Sequence, residues 1–319
     1  MRLGLTLSET YTLIFTSLVL LAIAGTSYGQ WALRRATAPE QISRLRVVNS
    51  RVKAAWWLIL VFAAAFAGGL NTLIVVFALL SFFTLREFLA LTPTKQSDHW
   101  ALICSFYVAI PVQYLAIAFA QEDIFTIFIP VYMFLLLPVL MSITHDSEQF
   151  LGRVAKIQWG LMLSIYCISH APVLLIYEVE RYGSSSSLLL LFFLLVIFVA
   201  DLLVVIASSY LGGKSLPDNP NKTYKGILCG GAIAILVGFS LFWITPFKPW
   251  QCLLMSLAIV MAGAMGDIVI AAVKRSLGSR FMDGDKYMTR GTLERLAPFI
   301  FAAPVYYHLC MHFFSFMHV

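Results

Sequence analysis

The chain has 319 residues, of which 60% are hydrophobic and 12% are charged, and its formal net charge at pH 7 is +6. Soluble domains carry about 25% charged residues, so the composition excludes an ordinary soluble protein and indicates a polytopic membrane protein. Basic residues in cytoplasmic connections, which set the topology and are attracted to anionic lipid, account for the positive charge. It requires no nucleic-acid partner.

Apolar runs long enough to cross a bilayer, which takes about 17 to 25 residues per helix, recur along the chain. The run 54–85 is too long for one span and is interrupted by Gly68, Gly69 and Asn71. It therefore predicts a helical hairpin of two short or tilted spans. With that hairpin, the sequence predicts an all-α transmembrane bundle of about ten spans. The other predicted spans are 11–28, 101–120, 124–143, 157–177, 188–210, 227–247, 250–273 and 296–316.

Basic residues are concentrated in alternate connections between these runs. Residues 30–53 hold six of the 22 Lys and Arg residues, and residues 274–295 hold six more. By the positive-inside rule these connections are cytoplasmic, and both termini lie outside. No cleavable signal peptide is expected. The smaller connections assigned to the cytoplasm on the same ground are 86–95, 153–156 and 214–225.

Two aspartates lie inside apolar runs that carry no other charge. Asp201 precedes a turn-rich segment that contains Lys214, and Asp267 precedes Lys274 and Arg275. An ionisable group at membrane depth is costly without a partner, so it marks a functional site by default. The cations, Asn and Gly nearby favour a metal-assisted phosphate site at the cytoplasmic mouth of the bundle.

Two of the cytoplasmic segments differ from plain connectors. Residues 211–226 read LGGKSLPDNPNKTYKG, in which Gly and Pro turns and three lysines can cradle phosphate oxygens, although the spacing of a P-loop is absent. Residues 274–295 read KRSLGSRFMDGDKYMTRGTLER, with six cations and three carboxylates. An ordinary basic turn and a solvated charged loop are the alternatives. We predict an N-terminal region at 1–100, a middle region at 101–185 and a catalytic region at 186–319.

A family resemblance is carried by three stretches: 219–226 (NPNKTYKG), 266–295 (GDIVIAAVKRSLGSRFMDGDKYMTRGTLER) and 301–308 (FAAPVYYH). They resemble the CTP:phosphatidate cytidylyltransferases, also called CDP-diacylglycerol synthases. Members of that family look like SPNKTWEG in the first stretch and GDLxESxxKRxxxxKDxxxxxPGHGGxLDRxD in the second. Residues 84–93 (TLREFLALTP) resemble its proteobacterial branch. The resemblance implies a protein of the bacterial inner membrane with its active face toward the cytoplasm.

The resemblance also implies roles for single residues. Asp267 matches the aspartate of the GD motif and Glu294 matches the first aspartate of LDRxD, positions that hold divalent metal in the family, so Mg²⁺ is the expected cofactor. CTP, phosphatidate or a related lipid phosphate, and membrane lipids are the expected partners, and a homodimer is a candidate assembly. The catalytic candidates are Asp267, Glu294, Lys274, Arg275 and Arg295. The substrate-binding candidates are Asp201, Asn221, Lys222, Thr223, Lys286 and Arg290.

Several positions depart from the family pattern. The PGHGG segment is YMTRG at 287–291, so its histidine and all but one glycine are replaced, and the last aspartate of LDRxD is Ala297. Glutamate at position 294 keeps a carboxylate but displaces it by about one methylene, next to an ion that demands near-ideal octahedral geometry. The fold inference survives these changes, whereas activity on the family substrate does not follow automatically.

Three functions are therefore carried forward as hypotheses. The first is CTP:phosphatidate cytidylyltransferase, making CDP-diacylglycerol and pyrophosphate for phospholipid biosynthesis. The second is a relative that acts on another lipid phosphate or serves as a catalytically inactive membrane scaffold. The third is a secondary transporter, which the absence of a convincing internal repeat disfavours.

Overall fold

The computed structural model describes residues 6–143, 145–179, 186–216, 219–277, 291–313 and 316–318, and this part of the chain is almost entirely helical. Nine helices in it are long and apolar enough to cross a membrane, and the C-terminal helix adds an apolar element of 17 residues. The prediction of an all-α bundle with about ten spans is confirmed. In chain order the helices are α1 (Leu7–Arg35), α2 (Pro39–Ala67), α3 (Leu70–Leu91), α4 (Gln96–Ala118), α5 (Glu122–Ser142), α6 (Phe150–Ile176), α7 (Ser186–Leu211), α8 (Tyr224–Ile244), α9 (Pro249–Ser276), α10 (Thr292–Arg295) and α11 (Ala297–Phe313).

The break between α2 and α3 falls at Gly68 and Gly69, where the sequence predicts it. Gly69 has a φ of +80°, which glycine adopts without the steric cost that a Cβ would add. Of the two predicted alternatives, short or tilted spans, the short one does not hold for α2, which begins at Pro39 and has 29 residues. Proline at the first helical position is favourable because its fixed φ suits a helix. The basic residues after Pro39 therefore extend a helix instead of forming a connecting loop.

Two small antiparallel sheets join helix ends. β1 (Tyr177–Val179) pairs with β4 (Phe316–His318), and β2 (Ser215–Leu216) pairs with β3 (Asn219–Thr223). The segment 211–226, predicted as a phosphate-cradling loop, thus forms a hairpin between α7 and α8. Its first glycines, Gly212 and Gly213, have φ values of +60° and +103°, so the chain can turn sharply as it leaves α7.

The C-terminal helices pack closely around α7. Its main neighbour is α8, while α9 packs mainly against α11. Phe193 of α7 stacks on Tyr306 of α11, with ring centroids 5.0 Å apart, and the Tyr306 hydroxyl donates a hydrogen bond of 3.0 Å to the Leu189 carbonyl. This satisfied buried hydroxyl fixes α11 against α7. The helices that carry the two intramembrane aspartates are consequently held in a well-packed group.

A polar cluster joins the start of α4 to the start of α6. The buried Arg153 guanidinium donates to the Asp146 carboxylate at 2.6 Å and to the Ser97 hydroxyl at 3.0 Å. These contacts, that of Arg153 above all, hold the pKa of Asp146 well below its usual range. Lys95 donates to Glu148 at 2.6 Å, and this bond raises the pKa of Lys95. The cluster therefore fastens the connection after α5 to two neighbouring helices.

Candidate functional site

Asp201 and Asp267 lie well inside the helices that carry them. Asp201 precedes the end of α7 at Leu211 by ten positions, and Asp267 precedes the end of α9 at Ser276 by nine. At about 1.5 Å per residue, each lies about 14 to 15 Å from its helix end. Asp267 is buried. Carboxylates at this depth require cations close by.

Gly266 allows α9 to approach α11 beside Asp267. A Cβ at position 266 would overlap the Ala297 carbonyl oxygen and lie 3.0 Å from the Phe301 Cβ. Because closely packed interiors cannot absorb such an overlap, the glycine before Asp267 has a packing function. It brings the backbone of α11 next to the helix turn that carries the carboxylate.

The β2–β3 hairpin brings a lysine back into the bundle. Lys222 lies on β3 and is only 1% exposed. The next residue, Thr223, caps α8 through a hydrogen bond from the Gly226 amide at 3.0 Å, and its own amide donates to the Ser208 hydroxyl of α7 at 2.9 Å. The capping threonine thus fixes the strand that points Lys222 inward. Asn221 is half-buried beside it.

Lys222 bridges the two intramembrane aspartates. Its ammonium lies 2.6 Å from the Asp201 carboxylate, and it forms a second, short hydrogen bond to the Asp267 carboxylate. The two acids that the sequence singles out separately therefore converge on one cation. Hydrogen bonds between ionised groups are about twice as strong as neutral ones, which is the compensation that buried carboxylates need.

A fourth charge, Arg51 of α2, completes the cluster. Its guanidinium donates to the other oxygen of Asp201 at 2.8 Å, while its Nη2 is buried and has no hydrogen-bond partner in the part of the chain that the structure describes. Two cations and two carboxylates make the cluster neutral as a whole. Removing one partner from such a group is far more costly than the net benefit of the pair. We call Arg51, Asp201, Lys222 and Asp267 the charge quartet.

A small cleft opens at three members of the quartet, Asp201, Lys222 and Asp267. Its remaining lining is apolar and comes from α7, α8, α9 and α11. Such a cavity combines a few convergent polar groups with an apolar wall, the usual make-up of a small-molecule site. The apolar lining residues are Ile197, Ala200, Val204, Ile227, Val260, Gly263, Ala264 and Pro298.

A second charged pair lies nearer the end of α9. The Lys274 ammonium donates to the Glu294 carboxylate at 3.0 Å, and both side chains are largely buried. Lys274 follows Asp267 by seven positions, so the two Cα atoms are about 10 Å apart along α9. Arg275 and Arg295 are exposed at the same end of the bundle. Lys286 and Arg290, together with the acidic Asp283 and Asp285, lie outside the described residues.

The carboxylates of the quartet have the chemistry that Mg²⁺ prefers. Asp201 and Asp267 present oxygens to a common point that a cation already occupies, the Lys222 ammonium. Within the described ranges no group of three or more His, Cys, Asp or Glu side chains could hold a metal ion. Magnesium in nucleotide sites uses one or two carboxylates and completes its shell with substrate phosphates and water, so Mg²⁺ at Asp201 and Asp267 would have to take the place of the Lys222 ammonium, and its binding stays a prediction. Glu294 as a ligand beside Asp267 stays a prediction.

Comparison with known proteins identifies the family of this chain. The model of the cytidylyltransferase family matches residues 49–313, which include the whole quartet and the Lys274–Glu294 pair. The chain belongs to the cytidylyltransferase family. It is also 30% identical over 266 residues to the uncharacterized protein YnbB of Escherichia coli (strain K12), a match that covers 82% of this chain and 86% of the relative. The family resemblance seen in the sequence motifs is thereby confirmed.

Two residues of this candidate site are missing from the sequence-based candidates. In the sequence, Arg51 is one of the basic residues that indicate topology, and Glu87 lies in the TLREFLALTP stretch that carries part of the family resemblance. In the structure, the Glu87 carboxylate accepts a hydrogen bond of 3.0 Å from the Leu293 amide, next to Glu294. The available signal was position along the sequence: Arg51 directly precedes the apolar half of α2, and Glu87 lies near the end of the apolar helix α3.

Proposed function

We propose that this protein is a CTP:phosphatidate cytidylyltransferase, which forms CDP-diacylglycerol and pyrophosphate at the cytoplasmic face of the bacterial inner membrane. The observation that carries the proposal is the charge quartet at the apolar-lined cleft. Membership of the cytidylyltransferase family supports nucleotidyl transfer in general. The cleft supports a lipid as the acceptor of the nucleotidyl group.

The lining of the cleft suits an amphipathic substrate. A water-soluble acceptor would gain little from eight apolar lining residues, whereas a lipid phosphate can place its glycerol and the upper part of its chains against them. Its phosphate would then lie beside Lys222, which lines the cleft. Arg51 does not line the cleft and would act through Asp201, whose carboxylate it holds beside Lys222.

The chemistry that these residues must support is displacement at phosphorus. An oxygen of the lipid phosphate attacks the α-phosphorus of CTP and forms a P–O bond, and the bond between that phosphorus and the oxygen leading to the β-phosphorus breaks. Pyrophosphate leaves with the electron pair. Phosphatidate is already ionised at neutral pH, so no general base is needed. The task of the protein is to align two anions and neutralise their charge.

The cations divide this task by depth. Lys222 lies at the cleft, where it can hold the lipid phosphate, while Lys274, Arg275 and Arg295 lie at the end of the bundle, where the triphosphate of CTP would enter. Asp267 and Asp201 are the residues that would hold Mg²⁺, with Glu294 as a further candidate. When bound, the metal would neutralise charge on the phosphates of the nucleotide.

The assay measures transfer of label from α-³²P-labelled CTP into extractable lipid by the purified protein in phosphatidate-containing micelles with Mg²⁺. We expect labelled CDP-diacylglycerol and an equal amount of pyrophosphate, with loss of both on chelation of the metal. An Asp267→Asn preparation controls for a contaminating enzyme. A parallel reaction with polyprenyl phosphate tests the other lipid-phosphate hypothesis. No labelled lipid from either acceptor would refute the proposal and leave the scaffold or transporter hypotheses.

A further inference from the structure

The Glu87 carboxylate packs against the one-turn helix α10. Glu87 is near the C-terminal end of α3, and α10 packs against that helix. Besides accepting the hydrogen bond from the Leu293 amide, the carboxylate is so close to position 291 that a Cβ there would overlap it. Glu87 therefore contacts the beginning of α10 at two points, Gly291 and the Leu293 amide.

Glycine at position 291 leaves room for the Glu87 carboxylate. Gly291 has a φ of −67° and a ψ of 174°, a conformation that any residue adopts, so its backbone angles do not require glycine. A Cβ at this position would instead displace the Glu87 carboxylate, the end of a flexible side chain, from its place beside α10. Gly291 is also the single glycine that the chain keeps from the altered PGHGG segment. A glycine and a carboxylate 204 positions apart in sequence are thus one packing unit.

Three contacts fix α10 against its neighbours. Glu87 binds the Leu293 amide, the Leu293 side chain is fully buried, and the following residue, Glu294, accepts a hydrogen bond from Lys274 of α9. A free amide at the start of a helical turn needs an acceptor, and a negative charge is favourable there. Without Glu87, the turn would keep its buried leucine but lose the contact that sets its rotation.

We propose that Glu87 is a positioning residue for nucleotidyl transfer, which holds α10 so that Glu294 meets Lys274. This inference rests on the proposed function. Glu87 acts through the backbone of α10 and touches neither substrate, and its effect is on the placement of the Glu294 carboxylate. Because magnesium tolerates little displacement of its ligands, a shift of this carboxylate should first appear as a weaker response to the metal.

The test uses four variants of the full-length protein: Glu87→Gln, Glu87→Ala, Gly291→Ala and the double variant Glu87→Ala/Gly291→Ala. The Mg²⁺ concentration for half-maximal CDP-diacylglycerol synthesis should rise by about 10-fold in Glu87→Ala, the size of effect seen when a partner of a metal ligand is removed. Glu87→Gln keeps an oxygen acceptor of the same shape and should stay within about 2-fold of wild type. Arg86→Ala, an exposed neighbour on α3, is the matched control.

The double variant separates positioning from a general loss of structure. Gly291→Ala alone should behave like Glu87→Ala, because the added methyl group displaces the carboxylate. Once Glu87 is alanine, the methyl group meets no obstacle, so the double variant should be no worse than Glu87→Ala. Additive losses, or a Glu87→Ala enzyme with the metal response of wild type, would overturn the proposal.

Hydrogen–deuterium exchange of the peptide covering 291–296 provides a readout that does not depend on catalysis. Exchange should accelerate in Glu87→Ala and stay slow in Glu87→Gln. If wild-type protein transfers no cytidylyl group while Glu87→Ala still exposes this peptide, the proposed function fails and the structural contact stands. Unchanged exchange in Glu87→Ala would refute the positioning itself.

Discussion

Replacement of Lys222 by methionine tests whether the charge quartet stabilises the fold. Methionine keeps most of the side-chain volume and removes the charge. The change deletes two hydrogen bonds to carboxylates, one to Asp201 and one to Asp267. Each bond to a charged group contributes about 1.5–3 kcal/mol, and breaking a buried ion pair costs about 3–5 kcal/mol. Asp201 keeps Arg51, so we expect a loss of about 3–5 kcal/mol in the free energy of unfolding.

The free energy can be measured by unfolding in mixed detergent micelles with increasing SDS, followed by circular dichroism. Adding Asp267→Asn to Lys222→Met removes the carboxylate left without its lysine, so the double variant should regain at least about 2 kcal/mol. Lys225→Met, which changes an exposed lysine three positions away, should stay within about 0.5 kcal/mol of wild type. If Lys222→Met costs less than about 1 kcal/mol, the quartet does not stabilise the protein.

Four further predictions concern activity, topology and pH. Asp267→Asn should lower turnover by about 100-fold or more while the protein still inserts, and near-normal turnover would reduce Asp267 to a structural residue. Glu294→Gln should remove activity at limiting Mg²⁺ whereas Glu294→Asp, the family residue, should preserve or raise it; equal rates for both would exclude a metal role. Cysteines introduced at Lys214 and in 30–53 should both react from the cytoplasmic side, and labelling from opposite sides would rule out a shared nucleotide site. Wild type should be more stable than Asp146→Asn, and this difference should be complete above about pH 4, the pKa of an aspartate in the unfolded chain. The difference should shrink as the pH falls toward the depressed pKa of Asp146 in the folded protein. Thermal unfolding from pH 3 to 7 measures the difference, and a value that is constant with pH would contradict this prediction.

The helices were predictable because the bilayer imposes their length and apolar composition on the sequence. The same reasoning found Asp201 and Asp267, since a lone charge in an apolar run is conspicuous. It did not find that Lys222 is buried with them. The hairpin that carries Lys222 is rich in turn residues, a composition typical of an exposed connection. Lys222 is buried because its strand, β3, packs against both α7 and α9.

Arg51 and Glu87 could not be assigned for a related reason. A basic residue beside an apolar run serves as a topology signal whether it faces lipid, water or protein, and composition alone cannot distinguish these cases. Which way each side chain points depends on the rotation of α2 and α3, which is fixed by contacts with distant helices. The roles implied for Asp267, Lys222 and Glu294 came from motif resemblance, and their pairing was visible only once the helices were placed.

The order of the charged pairs along the chain has a consequence for biosynthesis. Arg51 precedes Asp201, Lys222 precedes Asp267, and Lys274 precedes Glu294. A chain made from its N-terminus therefore presents at least one cationic partner of each of these three acids before the acid itself, and only the second partner of Asp201, Lys222, follows its carboxylate. When each acidic helix leaves the ribosome, a basic partner has already been synthesised. The acids that are hardest to place in the hydrocarbon interior thus need not wait for a later segment to neutralise them.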